Sequence, residues 1–486
     1  MPESLLNRRD ILKAAAIAGV TALADQVIAQ PAPAPTTKPT PLVGIQIGAL
    51  PLARGDIDQL FDTLRTVGGL NALFIFAFGH EARFIPMTQP GFRGGNYAIP
   101  HMEYYKGSNL TYDDMRAPEF PDVDILDRAM KTAGKHGFKI YALVEEAEGQ
   151  PPSAPWQAFY EYDFHGRRQR DACSNNPAYR AFMLGLVEDY ARSYKVDGFM
   201  WSSERQGGLT NALGARHGGI ATDPGRSTCF CENCTKKAAG QGINVDRAKL
   251  GFAALEKFVR AGRSGKRPRD GYFVQCMRLM LNYPELLQWE SFWINSRKEL
   301  MIDIRNRVKT VNASTPVGFH VWHNASFSPF YRAEIDFADM AKNADFIKPV
   351  VYNSCAGSRI NSFVDSVGQT IFGDIPPAEI LQMVYKMFDY KEAPYEKLAA
   401  AGFSTDYIAR EVKRTLDDVA GTNVPIYAGL DIDIPGSQYT ADSVKQSVMS
   451  ALTAGAQGVI FARNWGEMNP AHVAGVGAAL KELGVI

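Results

Sequence analysis

The stretch "VDGFMWSSE", Val196–Glu204, is an apolar run that ends in a carboxylate, and its reading decides the fold. The run suits a strand whose two faces are both covered, as in a parallel sheet flanked by helices. It is preceded by "PAYRAFMLGLVEDYARSY", whose apolar spacing predicts a helix. The same alternation extends in both directions. Upstream, "LVGIQIGAL" predicts a strand, "DIDQLFDTLRTVGG" a helix with an acidic start and a glycine stop, and "NALFIFAF" the next strand. "VDILDRAMKTAGKHG" then predicts a helix and "FKIYALVEE" a strand. Downstream, "PVGFHVWH", "DFIKPVVYN", "VPIYAGLDIDIPG" and "GVIFARNWGEM" each follow a helical segment, which brings the total to eight strands.

Eight covered strands separated by helices predict an α/β fold of the (β/α)8 TIM-barrel type. A doubly wound open sheet competes with it, but no Gly-rich phosphate turn follows the first strand. Polar residues gather after many different strands instead: Glu145 and Glu146, Glu204, His320 and His323, Tyr352 and Asn353, Asp431 and Asp433, Trp465 and Glu467. In a barrel all those ends meet at one mouth. Long insertions at 85–120, 205–290 and 355–410 follow strands two, four and six, on the side where a barrel builds its site.

Lys plus Arg balances Asp plus Glu at 52 each, so no net field draws in nucleic acid or an anionic membrane. The amino terminus, "NRRDILKAAAIAGVTALADQVIA", has paired arginines at Arg8 and Arg9, a short apolar run, and small residues where a signal peptidase could cut. It resembles a twin-arginine export signal, with Asn7, Ile11, Leu12 and Lys13 on the pattern. The run is shorter than the ~20 residues that a membrane span needs. The expected organisation is a signal peptide at 1–30, a Pro-rich linker at 31–41 and a barrel domain at 42–486, in a soluble periplasmic or secreted protein.

Three of the six cysteines lie in "CFCENC", as Cys229, Cys231 and Cys234. C-x-C-x2-C places soft thiolates close enough for one zinc ion, and a tetrahedral site needs a fourth ligand, for which Cys173 in "RDACSNNPAYRAF" is the candidate. Disulfides within so tight a cluster are geometrically awkward. Cys276 and Cys355 are isolated and read as core residues.

The succession "CSNNPAYRAF", "ARSYKVDGFMWSSERQGG" and "CFCENC" resembles the barrel glycosidases that include the zinc-containing bacterial β-galactosidases. That resemblance implies a structural zinc on Cys173, Cys229, Cys231 and Cys234, no organic cofactor, a carbohydrate substrate, and Glu204 as the catalytic acid/base. Ser203 stands where that family has asparagine, and the "VDGF" strand start also departs from its pattern. The family's second carboxylate ends the seventh strand, where "YAGLDIDIPG" offers Asp431 and then Asp433. Alternation puts both on one face. Glu145, Glu146 and Glu467 stand in reserve.

Sugar binding needs flat apolar faces ringed by hydrogen-bonding groups. Trp465 matches the place where related barrels present a tryptophan floor, and the Tyr352 hydroxyl is placed to orient the nucleophile, with Ser203, Arg205, His320 and His323 as further contacts; His80, Glu81 and Arg83 carry a weaker claim. The leading expectation is an exported glycoside hydrolase. Two alternatives stay open: a metal-dependent hydrolase or isomerase built on His320, His323, Glu145 and Asp431, and a carbohydrate-binding barrel without catalysis. Sugar, anomer, stereochemical course and homo-oligomerisation are left open by the sequence.

Overall fold

The computed structural model describes residues 40–79, 95–146, 153–218, 223–462 and 465–486. The export signal, nearly all of the linker, and His80, Glu81 and Arg83 lie outside the described residues. Eight parallel strands alternate with eight helices in one unit, Pro41–Ile486. In chain order these are β1 (Leu42–Ile47), α1 (Ile57–Thr66), β2 (Ala72–Gly79), α2 (Ile125–His136), β3 (Lys139–Glu146), α3 (Pro177–Asp189), β4 (Gly198–Ser203) and α4 (Glu285–Val311). There follow β5 (Val317–Val321), α5 (Phe337–Ala341), β6 (Phe346–Pro349), α6 (Thr405–Asp418), β7 (Tyr427–Asp431), α7 (Ala441–Thr453), β8 (Gly458–Ala462) and α8 (Pro470–Glu482).

The strands pair in the order β7-β8-β1-β2-β3-β4-β5-β6. The ring closes through bridges between Ile347 and Ile426 and between Val350 and Gly429. Two backbone bonds hold that seam: Ile347 N–H donates to Pro425 O (3.1 Å) and Val351 N–H to Gly429 O (2.9 Å). The fold is therefore a (β/α)8 barrel, as the strand–helix rhythm predicts.

The polar residue just before a strand has a repeated use at the lower rim. Asp197, ahead of β4, accepts from Ile140 N of β3 (2.8 Å); Asn71 accepts from Val43 N (2.9 Å), Asp345 from Val317 N (2.8 Å) and Gln457 from Ile426 N (2.7 Å). Each side chain satisfies an amide at the start of a neighbouring strand that would otherwise end unpaired. The "VDGF" strand start thus has a structural reason.

Inside the barrel the lower half is apolar. Phe74 stacks on Tyr141 at 4.6 Å, and Met200, Phe346 and Ile460 complete the layer. Gly318 is required there, because a Cβ would sit 2.1 Å from the Phe346 ring. Above this layer the inward positions turn polar: Gln46, Glu145, Ser202, His320 and Lys348. Insertions follow β2, β4 and β6, and a further one after β3 carries an antiparallel hairpin, Tyr160–Tyr162 with Arg168–Ala172. Among the described residues no helix is long and apolar enough to cross a membrane.

Candidate active site

A cavity of about 330 Å³ opens at the carboxyl ends of the strands, with Gln46, Glu145, Ser202, Glu204, His320 and Tyr352 in its wall. Strand alternation sorts the residues that end β4. Ser202 faces the cavity, Ser203 faces outward, and Glu204 returns to the cavity. Ser203 Oγ instead accepts from the Arg297 guanidinium of α4 and lines a separate, outer hollow.

Glu204 Oε1 lies 3.2 Å from His320 Nε2. Burial is the main force lowering the pKa of His320, and the charge of Lys348 adds to it, while Glu204 pulls the other way. His320 is therefore neutral at pH 7. An ionised Glu204 accepts from Nε2–H; a protonated Glu204 donates to it. The pair can hold a proton at either atom, which a general acid/base requires.

Beneath the cavity floor lies Lys348, fully buried, whose Nζ donates to Gln46 Oε1 (2.6 Å). Desolvation pushes its pKa down to about 7, although the charges of Glu204 and Glu145 work against that shift. Sequence reasoning passed over this residue. Its signal was present: a lone lysine inside the apolar strand "DFIKPVV".

Other expected site residues lie elsewhere. Arg205 is buried in an ion cluster, with Nη1 3.0 Å from Glu146 and Nη2 2.7 Å from Glu161. Burial alone would lower the pKa of Arg205, but the charges of Glu161 and Glu146 more than offset it and hold the guanidinium protonated. His323 is buried behind the wall; its Nε2–H donates to Tyr407 Oη (3.1 Å) and its Nδ1 accepts from Arg359 (3.0 Å). Asp431 accepts from Asn353 N (3.1 Å), Cys355 N (3.3 Å) and Tyr439 Oη (2.8 Å). Asp433 accepts from Asn469 N (2.7 Å) and pairs with His472 Nδ1 (2.7 Å) at the start of α8. Neither aspartate is among the residues that line the cavity. Trp465 is half-buried after β8 and packs against the core, and it too stands off the cavity wall.

The four cysteines converge. Cys173 follows the hairpin after β3, and the other three follow β4, so both loops emerge on the mouth side of the barrel. The four ligand atoms all lie within 4.8 Å of one another, with Cys173 Sγ 3.5 Å from Cys231 Sγ and 3.4 Å from Cys234 Sγ. Four thiolates around one zinc at ~2.3 Å sit about 3.8 Å apart, so the donor set fits a tetrahedral metal. Hydrogen bonds from the other cysteines pull the Cys231 pKa down, while burial, with the same bonds, pushes the Cys229 thiol up. Asn175 Nδ2 donates to Cys234 Sγ (3.3 Å), an outer contact of the kind that orients metal ligands. Among the described residues this is the only such group; His320, His323, Glu145 and Asp431 do not converge on a point.

No family model matches the chain, and no curated protein matches it either. Similar solved structures include the PgaB (BpsB) glycoside hydrolase domain from Bordetella bronchiseptica, 14% identical over 87% of this chain and 94% of that one, TM-score 0.49. A β-galactosidase from the psychrophilic Marinomonas ef1 is 12% identical over 91% of this chain and 60% of that one, TM-score 0.49. A chitinase from Chromobacterium violaceum ATCC 12472 is 9% identical over 90% of this chain and 99% of that one, TM-score 0.39. The chain therefore spans about 60% of the length of the β-galactosidase. At such distances, function has to be argued from the site.

Proposed function

We propose that the chain is an exported glycoside hydrolase in which Glu204 protonates the leaving glycosidic oxygen. The observation that carries this reading is the placement of Glu204: at the end of β4, in a cavity sized for a small ligand, bonded to a neutral histidine and sharing the wall with a second carboxylate, Glu145. The register sets Glu145 opposite Ser202, on the neighbouring strand. Since Asp431 is committed to two backbone amides and a tyrosine, the second carboxylate in this reading is Glu145. As Glu204 gives up its proton, the bond to the leaving oxygen breaks and positive charge develops at the anomeric carbon, which Glu145 either attacks or meets with an activated water. Trp322, Tyr352 and Phe76 supply apolar faces in the same wall.

The thiolate cluster would hold a structural zinc that clamps the loops after β3 and β4, with no part in bond cleavage. Arg8, Arg9 and the apolar run after them support export by the twin-arginine route. A panel of 4-nitrophenyl glycosides in both anomeric forms tests the function. Turnover by the native chain that Glu204→Gln abolishes supports it; unchanged turnover in Glu204→Gln overturns the assignment. Azide rescue of Glu145→Ala, giving a glycosyl azide, would identify Glu145 as nucleophile, whereas an inverted product from the native chain would make it the base.

A further inference from the structure

The charges around the cavity are not evenly spread. The two carboxylates end β3 and β4, whereas basic side chains gather over β5 and β6: Arg216 and His217 in the loop after β4, and Arg359 on the helix Ala356–Val367 after β6. The loop is held in place there. His217 N–H donates to Asn324 Oδ1 (3.0 Å), and its ring packs edge-on against Trp322 at 5.1 Å.

Arg359 is the informative member. Among the described residues no carboxylate pairs with it within ion-pair distance; the one hydrogen bond of its guanidinium goes to His323 Nδ1, and its guanidinium carbon lies 5.5 Å from the centre of the Tyr352 ring. His323 is kept neutral, mainly by burial and next by the charge of Arg359 itself, so its Nδ1 is a true acceptor. Asp431, whose pKa burial raises and the charge of Arg359 only partly offsets, is already bonded to Asn353 N, Cys355 N and Tyr439 Oη. A guanidinium carries five N–H donors in a planar fork, and one of them is used here. Two buried aromatic and imidazole rings therefore fix an arginine in the wall of a cavity while most of its donors stay uncommitted.

We propose that this cavity accepts a glycoside whose sugar carries an anionic group, a uronic acid carboxylate, which Arg359 binds, with Arg216 lining the same cavity. The inference rests on the glycosidase reading and deepens it. A neutral sugar would cover the half-buried Arg359 guanidinium without answering its charge, and an anionic one would meet only repulsion from Glu145 and Glu204 without the cations over β5 and β6. A sulfate ester offers the same charge on a tetrahedral group, whereas a planar carboxylate matches the fork in two parallel bonds.

The test measures kcat/KM of the full chain on 4-nitrophenyl glucuronide and galacturonide, on the matching glucoside and galactoside, and on their 6-sulfates, in both anomers. A uronide should be preferred over its neutral counterpart, and Arg359→Gln should cut the uronide-to-neutral ratio by roughly 10–100-fold, with Arg359→Lys restoring part of it. A 6-sulfate preferred over the uronide would assign the anion to a sulfate ester and overturn the carboxylate. Calorimetry on the native chain with glucuronate against glucose gives a readout that needs no variant to fold; glucuronate should bind more tightly, and less so in high salt. Cleavage of neutral glycosides that depends on Glu204 but shows no anionic preference would overturn this inference and leave the glycosidase reading standing. Glucuronate binding that Arg359→Gln abolishes, without turnover of any glycoside, would do the reverse. Neither turnover nor uronate binding would overturn both.

Discussion

Glu204 and Arg205 are adjacent in the chain and occupy different media. The Glu204 side chain keeps 29% of its surface exposed, in a cavity, with one histidine bonded to Oε1; Arg205 is 5% exposed and locked between Glu146 and Glu161, each 1% exposed. One residue of strand alternation separates them. A barrel mouth divides labour: inward side chains face the cavity, and outward ones hold the loops. A carboxylate kept partly solvated can exchange protons with substrate. A buried ion cluster cannot release a member without leaving a charge unanswered.

Glu204→Gln should sharpen that contrast most, lowering turnover by about 10²–10⁴-fold while leaving thermal unfolding nearly unchanged; steady-state kinetics beside a melting curve checks both halves. Arg205→Met reverses the pattern. It strands Glu146 and Glu161 in the interior and should cost on the order of 3–5 kcal/mol of stability by denaturant unfolding. A variant as stable as the native chain would mean that the cluster does not anchor the loops. Cys231→Ser, or a strong chelator on the native chain, should lower the melting temperature by an amount worth a few kcal/mol, with loss of about one bound zinc per chain by elemental analysis; equal melting with and without chelator would remove the metal from the account.

Lys348 supplies the smallest and most pH-dependent effect. Its folded pKa, about 7, is depressed from 10.5, so between those values the unfolded chain binds the proton that the folded chain refuses. Stability from this group therefore rises with pH across that window, and the full cost of burying the charge is felt below pH 7. Lys348→Met should raise the melting temperature at pH 6 and gain progressively less toward pH 10. A gain independent of pH would show that the lysine does not titrate in the folded barrel.

Several of these residues were legible in the sequence because local chemistry marks them. The thiolates declare themselves by spacing, and Glu204 ends an apolar run whose strand character is unambiguous. Lys348 was legible only as an oddity, since a buried cation looks the same in a sequence as an exposed one. Alternation carried Asp431 and Asp433 toward the mouth, yet the regular strand stops at Asp431; Asp433 has φ 56° and turns to the start of α8. Period-two reasoning fails once the backbone leaves the extended region. Arg359 carried no local signal at all, lying on an insertion helix that nothing in its own neighbourhood ties to the site.

Written in the linear chain are the barrel, its strand count, the C-x-C-x2-C cysteines and the carboxylate at the end of β4. Each of these follows from short-range pattern: periodicity, spacing, and where an apolar run stops. Only the tertiary structure decided which charged groups share a cavity, because that depends on where loops of unrelated sequence return. It brought Glu145, Glu204, His320 and Arg359 to one cavity, and it turned Asp431 and Arg205 to backbone amides and buried partners instead.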